Sequence, residues 1–390
     1  MNSNEKYFVS LISSYLNNIS PDAEENIDWQ EIYRLSNIHN VCAITANQIM
    51  MLESKNQPEK NLLSKFRQKL GYTLIDSDSK TIAINDIKKM LTDAGIDFLL
   101  IKGAILRNYY PVKEFRTSGD IDVIIKYADI DRFRQIIISS NININDDSDN
   151  GFAFDYDKQH IEIHSTEDYD HPYFKNIFDM CTNNGYEYFI DDEQHLLYIL
   201  CHIIKHFNLC GAGIKMFMDI DVLIRHMADF NYDKFMIKCA ELHIETFAKA
   251  SFSLCNYWFN TPIKSEIDFN ENEEFRKLFE NEIISSGSFG FNKRNLGDYY
   301  INKGIGKDGR NNFSAKLRAL LALLFPSKRY LQNQCPYAKK HPILLPVAWL
   351  NRLFDAIFKR KAHSKSTIKS IMNTNNESEQ YKRLLNELNI

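Results

Sequence analysis

The sequence has little of what would move it out of an ordinary globular class. Its seven cysteines (Cys42, Cys181, Cys201, Cys210, Cys239, Cys255 and Cys335) are scattered and never stand two residues apart. That pattern argues against a disulfide framework and reads as buried thiols in a reducing compartment. No run reaches the roughly 18 uninterrupted apolar residues of a membrane-spanning helix. Residues 1–10 show no basic segment ahead of an apolar one, so no signal peptide is expected and a cytoplasmic location is. Charge of one sign is missing as well. Lys and Arg number 47 against 51 Asp and Glu, a net −4 that creates no broad field for attracting nucleic acid. Aromatic surface, by contrast, is plentiful, with 26 Phe and 20 Tyr among 390 residues. A chain of this length and apolar content can fill a sizeable core and make two or three domains.

The chemistry concentrates in residues 101–126. Gly119-Asp120-Ile121-Asp122-Val123-Ile124-Ile125 alternates as a β-strand does, so Asp120 and Asp122 share one face while Ile121 and Val123 take the other. Two carboxylates this close repel each other unless a cation neutralises them. Paired oxygen ligands of this kind suit Mg²⁺ (or Mn²⁺), which takes one or two carboxylates together with substrate phosphates. A third acid, Glu162, lies in the alternating run His160-Ile161-Glu162-Ile163-His164 and would join them if the two strands are neighbours. Just upstream, residues 96–101 read as a buried strand that leaves through Lys102-Gly103 into a helix at 104–109, closed by Pro111. A helix start offers free N–H groups to phosphate, Gly103 lets backbone come close, and Lys102 adds a point charge. An ordinary tight turn with a snorkelling lysine fits the same residues.

The order of these parts resembles the nucleotidyltransferase superfamily that includes DNA polymerase β. More narrowly, Lys102-Gly103-Ala104, Tyr110-Pro111, Arg116 and Gly119-Asp120-Ile121-Asp122, followed by His160-Ile161-Glu162-Ile163-His164, is similar to a family of uncharacterised bacterial nucleotidyltransferases. The likeness reaches Asp28-Trp29 and His39-Asn40-Val41 upstream, and His202, Lys205-His206 and Met218-Asp219-Ile220-Asp221 downstream, or roughly residues 25–225. It implies an α+β fold, with a small mixed β-sheet nucleotidyltransferase core embedded between helical regions. It also implies a metal-dependent enzyme that moves a nucleoside monophosphate from an NTP such as ATP to an unidentified hydroxyl acceptor. Asp120, Asp122 and Glu162 would be the catalytic metal ligands. Lys102, Gly103, Arg116, Ser118, His164, Lys205 and His206 would lie around the nucleotide. The superfamily usually has Gly-Ser where this chain has Gly103-Ala104, and the spacing from Gly103 to Asp120 is long, so Ser118 is a candidate for the missing hydroxyl. Arg116 suits either a phosphate or a pairing with Asp120 or Asp122. The acceptor is open among a small molecule, a glycan or lipid-linked intermediate and a protein side chain, with RNA disfavoured by the net charge. A catalytically idle nucleotide-binding or scaffold protein is the alternative, with the Gly-Ala turn as its support.

The remaining chain frames this core. Residues 1–95 read as helices, either a lid over the substrate or a packing layer. Tyr7, Leu11, Tyr15 and Ile19 recur at helical spacing before Ser20-Pro21, and Asp28 with Glu31 forms a capping-box pattern. Further helices are expected at 60–75 and 79–93, with Ile82, Ile84, Ile87, Met90 and Leu91 on one face and Gly95 as the stop. The core, 96–190, continues with a helix at 126–140, a mobile loop at 141–151 and a hairpin of 152–156 with 160–165 about Asp157-Lys158-Gln159. In the helical bundle 191–262, Asp191 or Asp192 caps the first helix. His202 and His206 are i, i+4 there, but Ile203 stands where a His-Glu-x-x-His zinc protease needs glutamate, so a polar cluster supporting the acidic site is expected. Asp219 and Asp221 repeat the i, i+2 spacing on a helix, where such residues diverge, and Asp219 is expected to meet Lys205 or His206. In 263–390, six of the 14 glycines fall within 287–310 and predict a long loop. An amphipathic stretch at 342–361 could contact a membrane surface, a partner or the bundle. A polar tail at 363–390 is expected to be partly disordered.

Overall fold

A computed structural model of the chain describes residues 1–209, 211–269, 271–288, 342–347, 349–351 and 377–390. Four helices open it: α1 (Ser3–Leu16), α2 (Trp29–Ile38), α3 (Cys42–Met51) and α4 (Lys60–Asp93). Asn2 and Glu5 form a capping box at α1, and Asp28 caps α2 by accepting from the amides of Gln30 and Glu31. The Glu31 side chain does not complete a box at α2; it forks onto Arg34 at 2.7 Å. Ile19 is not part of the α1 face. Asn18 turns to a φ of 54°, and Ile19 is left 59% exposed. The two helices expected at 60–75 and 79–93 are one helix of 34 residues. Its buried face runs without a break through Ser77, Lys80, Ala83, Ile87 and Leu91, while Ile82 points outward. Gly95, at a φ of 63°, ends it in a Schellman pattern, with Ile96 N bonded to Leu91 O and Gly95 N to Thr92 O.

The sheet has seven strands: β1 (Phe98–Leu100), β2 (Asp120–Ile125), β3 (Ile144–Ser148), β4 (Gly151–Tyr156), β5 (Gln159–Ser165), β6 (Cys181–Asn184) and β7 (Glu187–Ile190). Their order is β3-β4-β5-β2-β1-β7-β6. Pairing is mixed: β2 runs parallel to β5 and β1 parallel to β7, while the other neighbours are antiparallel. Between β1 and β2 the expected helix at 104–109 is only a single turn, α5 (Gly103–Leu106), followed by a 3-10 turn. The segment 141–151 is not the expected loop. It holds β3, an edge strand with a register shift between Ile144 and Asp146, because backbone pairing to β4 overrides a turn-like composition. The β6–β7 hairpin was not foreseen at all. The hairpin is as expected, but its turn is one residue shorter: Gln159 pairs with Tyr156 as the first residue of β5, leaving Asp157 and Lys158, both at positive φ, as a two-residue turn.

Alternation along β2 and β5 divides their side chains between two layers. Ile121, Val123, Ile125, Ile161 and Ile163 pack against Ala83, Ile87 and Leu91 of α4 and against Ile130, Phe133 and Ile137 of α6 (Ile130–Ser139). The opposite face looks toward the helices that follow: α7 (Asp192–Leu209), α8 (Ile214–His226), α9 (Tyr232–Glu241), α10 (Glu245–Phe259) and α11 (Glu273–Ser286). One apolar cluster joins these to α1 and α3, so the early and late helices share a core. A terminal helix, Glu377–Leu388, also packs into it, with Leu384 and Leu388 fully buried where a disordered tail was expected. Residues 289–341, most of the stretch 342–361 and 363–376 lie outside the described residues. Among the described residues no helix is long and apolar enough to cross a membrane.

The hairpin turn carries a removable cost, since Lys158 sits at a φ of 67°. Lys158→Gly is expected to raise stability by about 0.5 to 1 kcal/mol, the left-handed penalty less the extra chain entropy of glycine. A higher urea midpoint with an unchanged slope reads this out, and an unchanged or lower midpoint contradicts it.

Candidate active site

The parallel register of β2 and β5 sets Asp120 opposite His160, Asp122 opposite Glu162 and Ile124 opposite His164. Residues paired this way project from the same side of the sheet, so Asp120, Asp122, His160, Glu162 and His164 share the face away from the isoleucine layer. One ligand atom each from Asp122, Glu162 and His164 lies within 4.8 Å of the others, and Asp120 stands outside that group. Asp122 is at the centre. Lys102 Nζ donates to its Oδ1 at 2.7 Å, and His164 Nε2 lies 3.1 Å from the same oxygen. His164 Nε2 is also 3.4 Å from Glu162 Oε2, and its Nδ1 is 2.8 Å from Asp168 Oδ2. The Asp122 side chain is 2% exposed and that of Glu162 36%, so the pocket of charge opens on the Glu162 side.

These charges set one another's protonation. Burial alone would raise the Asp122 carboxyl, but Lys102 and His164 outweigh it and hold it well below the usual carboxylate range. The hydrogen bond to His164 lowers Glu162 against burial and the neighbouring Asp122. Asp120 goes the other way: burial, then Asp122, raise its carboxyl, with Lys102 opposing. Burial pushes the His164 imidazole down, and its bonds to Asp122, Asp168 and Glu162 lift it well above its ordinary value. Two inner carboxylates and one imidazole nitrogen in mutual reach are a donor set that fits a divalent cation.

Lys102 reaches Asp122 from an unusual backbone position, a φ of 51° and ψ of −127°, and its amide donates to His195 Nε2 at 3.3 Å. A non-glycine residue there carries strain of the kind found at functional turns. The glycine after it answers a packing demand. A Cβ on Gly103 would fall 2.5 Å from Arg116 Nη1 and 3.0 Å from Ser118 Cβ. Arg116 itself is not paired with Asp120 or Asp122. Its Nε and Nη2 fork onto Asp219 at 3.2 and 2.8 Å, and Tyr110 OH donates to the same carboxylate at 2.7 Å. Asp219 therefore does not meet Lys205 or His206. Asp221 diverges from it, as expected for a helix, and holds Arg225 and Thr261.

Ser118 lies beside Gly103 but faces Lys80 of α4, whose Nζ donates to Ser118 O at 2.6 Å and Oγ at 2.8 Å. Lys215 of α8 donates to Thr117 O at 3.1 Å, and burial, then Arg116, pushes its ammonium down to about 8. The turn that delivers Asp120 is thus tied to helices before and after the sheet. His202, Lys205 and His206 form a separate group around Asp170. His202 Nδ1 is 2.7 Å and Lys205 Nζ 2.6 Å from its carboxylate, and the Nε2 atoms of His206 and His202 are 3.1 Å apart. That group is a polar cluster, as expected. Sequence reasoning missed Asp168, Asp170, Lys80 and Lys215. A signal existed for the first two in Thr166-Glu167-Asp168-Tyr169-Asp170 directly after β5, and for Lys80 as the single lysine on the buried face of α4.

The Arg116–Asp219 pair, at 6% side-chain exposure on both partners, makes a direct prediction. Arg116→Met strands a buried carboxylate and is expected to cost about 3–5 kcal/mol in urea unfolding. Adding Asp219→Asn should cost less than the two single changes summed, by roughly 1 kcal/mol or more. Simple additivity contradicts the pairing.

Comparison with known proteins gives a family. No curated protein matches the chain, and no solved structure does. A family model described as an uncharacterised nucleotidyltransferase matches residues 25–260, which take in α2 to α4, the whole sheet and the bundle through α10. The chain belongs to that family of nucleotidyltransferases.

Proposed function

We propose that the chain transfers a nucleoside monophosphate from an NTP to a hydroxyl acceptor, with release of pyrophosphate, on the face of β2 and β5 that carries Asp120, Asp122 and Glu162. The observation that carries this reading is the register pairing of Asp122 with Glu162 across a parallel ladder, with Asp120 on the same side. In the reaction the acceptor oxygen bonds to the α-phosphorus, the bond from that phosphorus to the β-side bridging oxygen breaks, and the acceptor proton leaves to a carboxylate. Glu162 is the carboxylate placed to take it, since its side chain is the open one of the inner pair. A divalent cation, Mg²⁺ or Mn²⁺, held by Asp122 and Glu162 beside Asp120, would supply charge neutralisation for the triphosphate.

Lys102 is the cation nearest the inner carboxylates and is assigned to the phosphates, where a compact ammonium serves as a point charge. Arg116 is assigned to holding the Thr117-Ser118 turn through Asp219, so the phosphate role falls to Lys102 alone of the two. Ser118, Gly103 and the Lys80 contact complete that corner, and Asp170, which holds His202 and Lys205, adds a negative charge that acts on Lys102. With a net charge of −4, a small-molecule, glycan or protein hydroxyl is the acceptor class rather than nucleic acid. One observation favours a second reading, a nucleotide-binding or scaffold protein without turnover. The Lys102–Asp122 pair satisfies the buried carboxylate from within the chain, and Ala104 offers no hydroxyl to phosphate.

Pyrophosphate release with each of the four NTPs, in Mg²⁺ and in Mn²⁺, separates the two readings when a fractionated cell extract supplies the acceptor and labelling of that acceptor is followed. Asp120→Asn and Asp122→Asn are each expected to lower release and labelling roughly 100-fold or more, the equivalent of several kcal/mol. Full activity in both variants would rule out the assignment, and saturable nucleotide binding without turnover favours the scaffold.

A further inference from the structure

The two ring nitrogens of His164 have different partners. Nδ1 is fixed at 2.8 Å by Asp168, a carboxylate on the segment that follows β5. Nε2 faces the opposite way, 3.1 Å from Asp122 Oδ1 and 3.4 Å from Glu162 Oε2. The ring is clamped by an outer acid so that its inner nitrogen points into the space the two inner carboxylates share. Metal-binding imidazoles are oriented this way, with a carboxylate on one nitrogen fixing the tautomer and presenting the other. His160 shows the contrast. Its Nδ1 is likewise held, by Asp155 at 2.8 Å, but its Nε2 is 3.7 Å from Glu162 Oε1 and it stands outside the group whose ligand atoms lie within 4.8 Å of one another. Asp120 stands outside that group too.

We infer that His164 is a direct ligand of the cation through Nε2, whose proton is released to solvent as the ion binds, that Asp168 is its positioning residue, and that the site takes a first-row divalent transition ion in preference to Mg²⁺. The inference rests on the nucleotidyltransferase reading of the same site and specifies its metal. Mg²⁺ binds oxygen and keeps its waters, so an imidazole among its ligands gains it little. Imidazole suits the transition ions, and Mn²⁺ is the one that also shares the preference of Mg²⁺ for carboxylates.

The test is pulsed electron paramagnetic resonance on the full chain loaded with Mn²⁺ and a non-hydrolysable NTP analogue, at natural abundance and with ¹⁵N-labelled histidine. The expected result is modulation from a directly bound nitrogen that changes on labelling, persists in His160→Gln and is lost in His164→Gln. Because the labelled wild-type chain gives the first half of this result, a poorly folding variant does not decide the matter. Asp168→Asn is expected to weaken Mn²⁺ binding by about 10- to 100-fold and to move Mg²⁺ binding much less, a change in ion preference that a merely structural role would not produce. Mn²⁺ bound without nitrogen modulation, or modulation that survives in His164→Gln, overturns the inference and leaves a metal-dependent transferase standing. Binding of neither ion in the presence of nucleotide removes the transferase reading and this inference together.

Discussion

Asp122 keeps a carboxylate at 2% side-chain exposure, where an unpaired charge would cost several kcal/mol, and much of the surrounding structure follows from that demand. Its strand position is fixed by Ile121 and Val123, which are fully buried on the other side of β2. Slipping the register by one residue would put the aspartates into the isoleucine layer, so burial of the apolar face and presentation of the acids are one constraint. Charge balance then comes from Lys102, on a strained turn, and from His164, on the neighbouring parallel strand. A turn that holds a lysine at a φ of 51° persists when the surroundings fix it, and here the His195 contact and the packing of Gly103 against Arg116 do so.

The helices outside the sheet take part in the same arrangement. Lys80 comes from α4, Lys215 and Asp219 from α8, and between them they hold the carbonyls of Ser118 and Thr117 and the side chain of Arg116. Cations gathered behind the turn repel one another, so Lys215 is pushed down by Arg116 as well as by burial, while Asp219 and Asp120 act to raise it. Of the early helices, α4 touches the turn that leads into Asp120. The shared apolar cluster of α1, α3, α8 and α10 keeps these two sources of cations in register.

Local patterns were legible in the sequence where one period dominated. The alternation of residues 119–125 and 160–164, the position of the hairpin and the glycine stop of α4 all follow from nearest-neighbour chemistry, and the shared face of Asp120 and Asp122 came with them, while Glu162 joins that face only through the ladder of β2 with β5. Long-range pairing was not legible. Arg116 finds its carboxylate 103 residues away on α8, and nothing local to either residue marks the match. Asn- and Asp-rich β3 looked like a loop because its stability comes from the ladder to β4 rather than from its own side chains. The role of Lys80 was hidden for a similar reason: a lysine on an apolar helix face looks like a flaw until the carbonyl it serves is known. Asp168, which bonds His164 Nδ1, lies just beyond β5, where alternation no longer assigns a residue to a face.

On the proposed transferase reading the charge balance at Asp122 is exchangeable, with Lys102 holding the place of a cation. A crystal structure of the full chain with a non-hydrolysable NTP and a divalent ion tests it most directly. The account predicts the ion in contact with Asp122 and Glu162, and Lys102 Nζ released from Asp122 and turned to the phosphates. A Lys102–Asp122 pair left intact, with nucleotide bound elsewhere or not at all, would contradict it.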